Sequence, residues 1–272
     1  MSAQVDSIDA VGRNALTRQF AAFWLKQSLS WLGLVAAFIV WWLFTSPQWG
    51  HQGLVTRFSP ELALVALVNS IEDDTLAPHV KASMARVCLS LVYSTLIGVP
   101  LGILIGLSSR FEKASSALIQ FLRMISPLSW MPIAVMLLGI GDLPVLFLLT
   151  ISSVWPIALN TSAGVHGIER RWLLLAKGFC ASSVQLVVHV VAPAVVAPVL
   201  TGIRLAIGVI WIVLVPAEML GVSEGLGYYV LDTRDRLSYP ELMSAILVIG
   251  CLGYGLDYFA RLLIRLWTHQ GS

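Results

Sequence analysis

The stretch GIERRWLLLAKGFCASSVQLVVHVVAPAVVAPVLTGIRLAIG, Gly167 to Gly208, opens as a charged loop and ends inside an apolar run. Its first half predicts a short helix over 172–176, a turn around Gly178, and a second helix capped by Ser182 or Ser183. Leu173, Leu174, Leu175 and Phe179 are apolar residues in a segment that also carries Glu169, Arg170, Arg171 and Lys177, where water is the expected neighbour. An apolar knob in such a loop suits the groove of a soluble partner. A helix lying on the membrane surface is the competing reading. The second half continues into an apolar run from Leu186 to Leu220, which exceeds the roughly 20 residues that cross a bilayer.

The rest of the chain shares this character. Of its 272 residues 57% are hydrophobic and 12% charged, and the mean hydropathy is +0.83. A soluble domain carries roughly 25% charge, so this chain needs lipid as part of its solvent. The net charge of +2 does not argue for nucleic acid. Working outward from the quoted stretch, apolar runs also fall at about Leu29–Phe44, Val87–Leu107, Leu118–Gly139, a fourth reaching Ser162, and Leu242–Leu263. The expectation is an all-α integral membrane protein of about six spans. Residues 1–28 form an N-terminal segment, 29–266 one transmembrane domain, and 267–272 a tail. The polar leader shows no small-residue cleavage pattern, so a removable signal peptide is not expected.

Lys and Arg set the orientation, because positive loops stay in the cytoplasm. With the N-terminus inside, the cytoplasmic segments hold Arg13, Arg18, Lys26, Arg110, Lys113, Arg170, Arg171, Lys177, Arg261 and Arg265. The outer segments hold Arg57, Lys81, Arg86, Arg234 and Arg236. The N-terminus is therefore expected in the cytoplasm.

Within the spans, Gly98, Gly102 and Gly106 recur every four residues and predict close helix packing. Prolines interrupt the third and fifth runs, and broken helices are tolerated where they are buried in protein or line a cavity. SPLSWMPIAV, from Ser126, is the richest such segment, which makes Trp130 and Met131 candidates for a solute path. Arg204 and Glu218 join them as charges within the fifth run. About 21 Å of helix separates these two, so they cannot pair with each other. Cys88, Cys180 and Cys251 lack metal-ligand spacing and read as small packing residues.

The quoted loop resembles the coupling-loop motif of ABC importer permeases, which reads Glu-Ala-Ala, three variable residues and Gly, with a downstream Leu-Pro and a Gly-Leu-Arg-like helix start. Ala181-Ser182, Ala192-Pro193 and Thr201-Gly202-Ile203-Arg204 keep that register. Leu174, Leu175 and Ala176 stand at the Glu-Ala-Ala positions, so the family's glutamate is replaced. Cys180 stands at the glycine and must accept its backbone shape. The segments PLSWMPIAVMLLGIGD and VPAEMLGVSEGLGYYVLDTRDRLSYPELMSAILVIG resemble the nitrate/sulfonate/taurine/bicarbonate branch of these permeases, and the likeness covers about 81–263.

The resemblance implies a type I, MetI-like permease fold in a bacterial inner membrane. It implies a coupling loop over 167–185 centred on Leu174, Leu175, Ala176, Lys177, Gly178, Phe179, Cys180, Ala181 and Ser182. It further implies cytoplasmic ABC ATPase subunits, an extracytoplasmic solute-binding protein and a second permease copy as partners. The implied cargo is a small anion, nitrate-like first and sulfonate, taurine or bicarbonate next. The chain has no Gly-rich phosphate loop, so ATP and Mg are expected on the ATPase, with no cofactor on this chain. Two other classes compete with this reading. A membrane enzyme would need His51, His79, His166, His189 or His269 near carboxylates, and their spacing does not supply this. An ion-coupled secondary transporter would want intramembrane acids or matching broken halves, and Glu218 alone supports it thinly.

Overall fold

The computed structural model describes residues 32–46 and 53–269, and every regular element among them is a helix. The N-terminal segment 1–28 lies outside the described residues, as do Leu29, Trp31, Pro47, His51 and the last residues of the tail. The chain divides into two compact units, 1–66 and 67–272, so the stretch 29–266 read as one domain spans the second unit and part of the first.

The first unit holds α1 (Leu32–Thr45), a 3-10 turn (Val55–Phe58) and the start of α2 (Pro60–Glu72). The indole of Trp41 donates to the Phe58 carbonyl at 3.0 Å, and that of Trp42 to Glu61 at 2.8 Å. The described part of α1 is apolar but shorter than a span.

The second unit continues with α3 (Leu76–Leu107), α4 (Ser109–Met124), a 3-10 turn (Pro127–Trp130), α5 (Met131–Leu138) and α6 (Asp142–His166). After these come α7 (Arg170–Gly178), α8 (Ser183–Gly221), α9 (Leu226–Asp235) and α10 (Tyr239–His269). Among the described residues α3, α6, α8 and α10 are long and apolar enough to cross a membrane, and α4 with α5 adds a fifth crossing if the bent pair is one span.

Helix α6 is the central rod, packed between α3 and α8. Half of its apolar stretch is buried, against about a tenth of that of α10. Glycines bring the backbones together. A Cβ on Gly98 would meet Ile157 at 3.0 Å, one on Gly106 would meet Val165 at 2.5 Å, and one on Gly102 would strike the Ala158 carbonyl. On the other side, Gly202 of α8 lies against the Ile157 backbone, and the Pro198 ring lies against Gly164. The buried face of α3 also carries Ser83, Ser90 and Ser94, while Leu89, Val92, Leu96 and Ile97 face outward. Small and hydroxylated residues thus point in and large apolar ones out, the pattern expected when lipid is the solvent. Most of these hydroxyls are satisfied within their own helices, as in Ser94 to the Leu91 carbonyl and Thr161 to the Ile157 carbonyl, whereas Ser83 donates across to Glu218 of α8.

One expectation needs correction. Helix α3 begins at Leu76 and not near Val87, so Lys81 and Arg86 are helical residues, not members of an outer loop. The break expected from the prolines of the third run is sharp, and α4 and the segment Pro127–Leu138 meet at 86°. The bend follows from Pro127, which cannot donate a backbone hydrogen bond and holds Ser126 at ψ 128°.

Candidate functional site

Three regions concentrate chemistry: the loop after α6, the end of the bundle remote from it, and a cavity between them.

The loop is a short elbow with a hydrogen-bonded turn at one end and a cap at the other. Helix α7 ends in a Schellman turn, in which the Ala181 amide donates back to the Ala176 carbonyl at 3.0 Å while Cys180 takes φ +54°. That is the left-handed position usually filled by glycine, so Cys180 accepts the shape that the sequence requires of it. Ser182 then caps α8. Its hydroxyl accepts from the Gln185 amide, and the Gln185 side chain accepts from the Ser182 amide at 2.9 Å. Only four residues part the two helices, and both ends are tied. Leu174 and Leu175 are about half exposed, and Phe179 is 85% exposed. Gly178, Cys180 and Ser182 are also exposed, with Ala176 and Ala181 half-buried. Lys177 belongs to the same helix. The Arg171 guanidinium pairs with Glu169 and lies over the Trp172 ring.

At the opposite end, Glu218 is fully buried and Arg86 is 6% exposed. They form a 2.7 Å ion pair. The same guanidinium reaches Asp142 at 2.6 Å and donates to the Glu224 carbonyl. Glu218 also accepts from the Ser83 hydroxyl and the Gly227 amide, and Ser83 in turn accepts from the Leu226 amide. The Gly225 amide donates to His79 Nδ1 at 3.1 Å. Four helices, α3, α6, α8 and α9, are fastened at one point. Gly225, at φ +130°, has no room for a Cβ, which would sit 2.6 Å from the Glu218 carboxyl.

Between these ends, α4, the 3-10 turn at Pro127–Trp130, α6 and α8 line an open cavity of about 300 Å³. Trp130 and Trp155 line it together with Arg123, Ser152 and Pro156. Met131 sits apart from it, 4% exposed in the main core with Leu148, Leu149 and Leu214. Arg204 is half-exposed and donates to Asp257 of α10 at 2.9 Å, and Asp257 also pairs with Arg261. The four path candidates therefore occupy four environments, and only Trp130 faces this cavity. Sequence reasoning singles out neither Arg86 nor Arg123. The first was hidden by the late start assigned to α3. A signal for it was present, since Ser83, Arg86 and Ser90 share one helical face. Arg123 falls inside the third apolar run, five residues after Leu118, and drew no separate reading. The cysteines read as packing residues are all exposed on the chain surface.

Comparison with known proteins agrees with this architecture. Residues 98–268 match the family described as binding-protein-dependent transport system inner membrane component. The bicarbonate transport system permease protein CmpB of Synechococcus elongatus is 31% identical over 241 residues, covering 86% of each chain. The nitrate import permease protein NrtB of Synechocystis is 32% identical over 72% of this chain and 71% of its own. The taurine transport system permease protein TauC of Escherichia coli is 31% identical over 76% of each. A chain of the inward-facing MetNI methionine ABC transporter superposes with a TM-score of 0.61 at 17% identity, over 70% of this chain and 95% of that one, which shows the shared fold.

Proposed function

The chain belongs to the binding-protein-dependent transport system inner membrane components, the permeases of ABC importers, and from that membership we propose that it carries a small oxyanion inward. In this reading it resides in a bacterial inner membrane with the α7 end in the cytoplasm. Two copies pair around a path, each seated on an ATPase subunit that binds ATP and Mg, and a binding protein delivers the anion from outside. Relatives named for bicarbonate, nitrate and taurine support an anion as cargo. Nitrate is favoured because the Leu231-Asp232-Thr233-Arg234-Asp235-Arg236 segment resembles nitrate-type members.

The observation that carries the proposal is the exposed apolar knob, with Phe179 at its tip, on an elbow tied at both ends. A knob held this firmly transmits displacement. Docked in an ATPase groove, it moves when the ATPase pair closes, and Ser182 passes the motion directly into α8. That helix runs from the elbow past the cavity, at Ile212 and Val213, to Glu218 in the buried clamp. One rod thus connects the docking loop to both places where access can change, and nucleotide biases a two-state element.

Replacing Phe179 with Asp places a charge in an apolar socket. The ATP-binding subunit that copurifies with the wild-type chain in mild detergent is expected to be lost, while helix content by circular dichroism stays constant. Recovery of that subunit at wild-type yield from Phe179→Asp would overturn the docking role. A wild-type chain that purifies alone yet drives uptake would overturn the importer reading itself.

A further inference from the structure

We propose that the cavity between α4, α6 and α8 is an oxyanion subsite on the transport path, held by the Arg123 guanidinium and the indole N–H groups of Trp130 and Trp155. This rests on the importer reading above and assigns a place and a chemistry to the solute.

The first ground is depth. Ser152 and Pro156, which line the cavity, lie midway along the 25 residues of α6. At 1.5 Å per residue they are about 15 Å or more from either end, near the middle of the apolar layer. Arg123 lines the same cavity from the last turn of α4. A cation at that depth is costly unless it faces water or an opposite charge. Every other arginine with a described side chain inside α3, α8 or α10 has a carboxylate: Arg86 with Glu218, Arg204 and Arg261 with Asp257. Arg123 makes no ion pair and no hydrogen bond among the described residues.

The second ground is the balance of donors and acceptors. Trp130 and Trp155 are half-buried, and neither indole N–H has an acceptor among the described residues. No Asp or Glu lines the cavity, and the Ser152 hydroxyl is already turned to the Leu149 carbonyl at 2.9 Å. Three unspent donors with no acidic acceptor leave the acceptor to be brought from outside. A guanidinium presents a planar fork that matches the oxygens of a carbonate, nitrate or sulfonate group, and an indole is a donor only. Ile151, Val209 and Ile212 add apolar walls beside these donors, and the exposed Arg123 side chain reaches the cavity from its open side. The size of the cavity suits a small ligand. Its position against α8 also places it on the helix that begins at the docking elbow, so elbow movement alters the cavity wall.

The test uses the complete transporter, with the ATPase and binding protein that copurify, in proteoliposomes given nitrate, bicarbonate or taurine as probes. Arg123→Gln is expected to lower uptake tenfold or more while ATP hydrolysis stimulated by the binding protein persists. Arg123→Lys, which keeps charge but loses the fork, should recover only part. Trp155→Phe and Trp130→Phe, each losing one N–H, should raise the half-saturating concentration about threefold. Uptake at the parental rate by Arg123→Gln overturns the subsite and leaves the importer intact. If Arg123→Gln does not assemble, unchanged half-saturation in both Trp variants overturns it instead. If the wild-type complex hydrolyses ATP but carries none of the three anions, the anion reading falls and the subsite with it.

Discussion

At the residue scale, the buried carboxylate of Glu218 shows how an intramembrane charge is kept. It has an ion pair with Arg86 and two further donors, so desolvation is offset by several charge-assisted bonds. Removing one partner strands the other. Glu218→Leu is expected to destabilise by about 3–5 kcal/mol, because it removes the buried counter-charge of Arg86 and leaves that guanidinium only the exposed Asp142. Asp142→Asn should cost less than about 1 kcal/mol, since Asp142 is 65% exposed and screened. Thermal unfolding of the purified complex in detergent distinguishes the two, and equal effects would contradict the clamp. Much of this site could not be read from the chain, because Arg86 and Glu218 are 132 positions apart. Cys180 is the opposite case. Its positive φ is anticipated by the resemblance of the loop to a family motif that has glycine at this position.

At the element scale, the fit of α3 onto α6 depends on the absence of side chains. A Cβ on Gly102 would strike backbone and not a movable side-chain tip. Gly102→Leu should therefore separate the two helices and cost about 1–3 kcal/mol or more by overpacking. Gly250→Ala, whose added methyl meets nothing within 4 Å, is the matched control and should be neutral. Folded yield and unfolding temperature report the difference, and two equally tolerated variants would mean that α3 and α6 do not cross this closely. The four-residue spacing of Gly98, Gly102 and Gly106 announced a contact face, and tertiary structure named the partner helix. The bend between α4 and α5 was legible only in part. Pro127 and Pro132 marked a break, but its 86° angle depends on what the two pieces pack against.

At the scale of the whole molecule, orientation is the property that connects the parts. In the proposed topology the α7 loop faces the cytoplasm, and Cys180 is the thiol exposed in that loop, whereas Cys88 and Cys251 lie within α3 and α10. Thiols within an apolar layer are out of reach of a charged reagent that stays in water. In a chain expressed without its ATPase, a membrane-impermeant maleimide should label inside-out vesicles and spare right-side-out ones. Cys180→Ser should abolish the signal. Labelling from the outer face would invert the topology.

Sequence alone determined the class and marked the α7 loop as the candidate for docking. Hydropathy, small-residue spacing, prolines and caps are local quantities, and each acts over a turn or two of helix. Tertiary structure decided which charges meet. Arg86 found Glu218 and Asp142, Arg204 found Asp257, and Arg123 was left facing a cavity with two indoles. Those outcomes depend on helix rotation and crossing, which are set by side-chain volumes on several helices at once. A single strand of sequence does not carry that information in any one place.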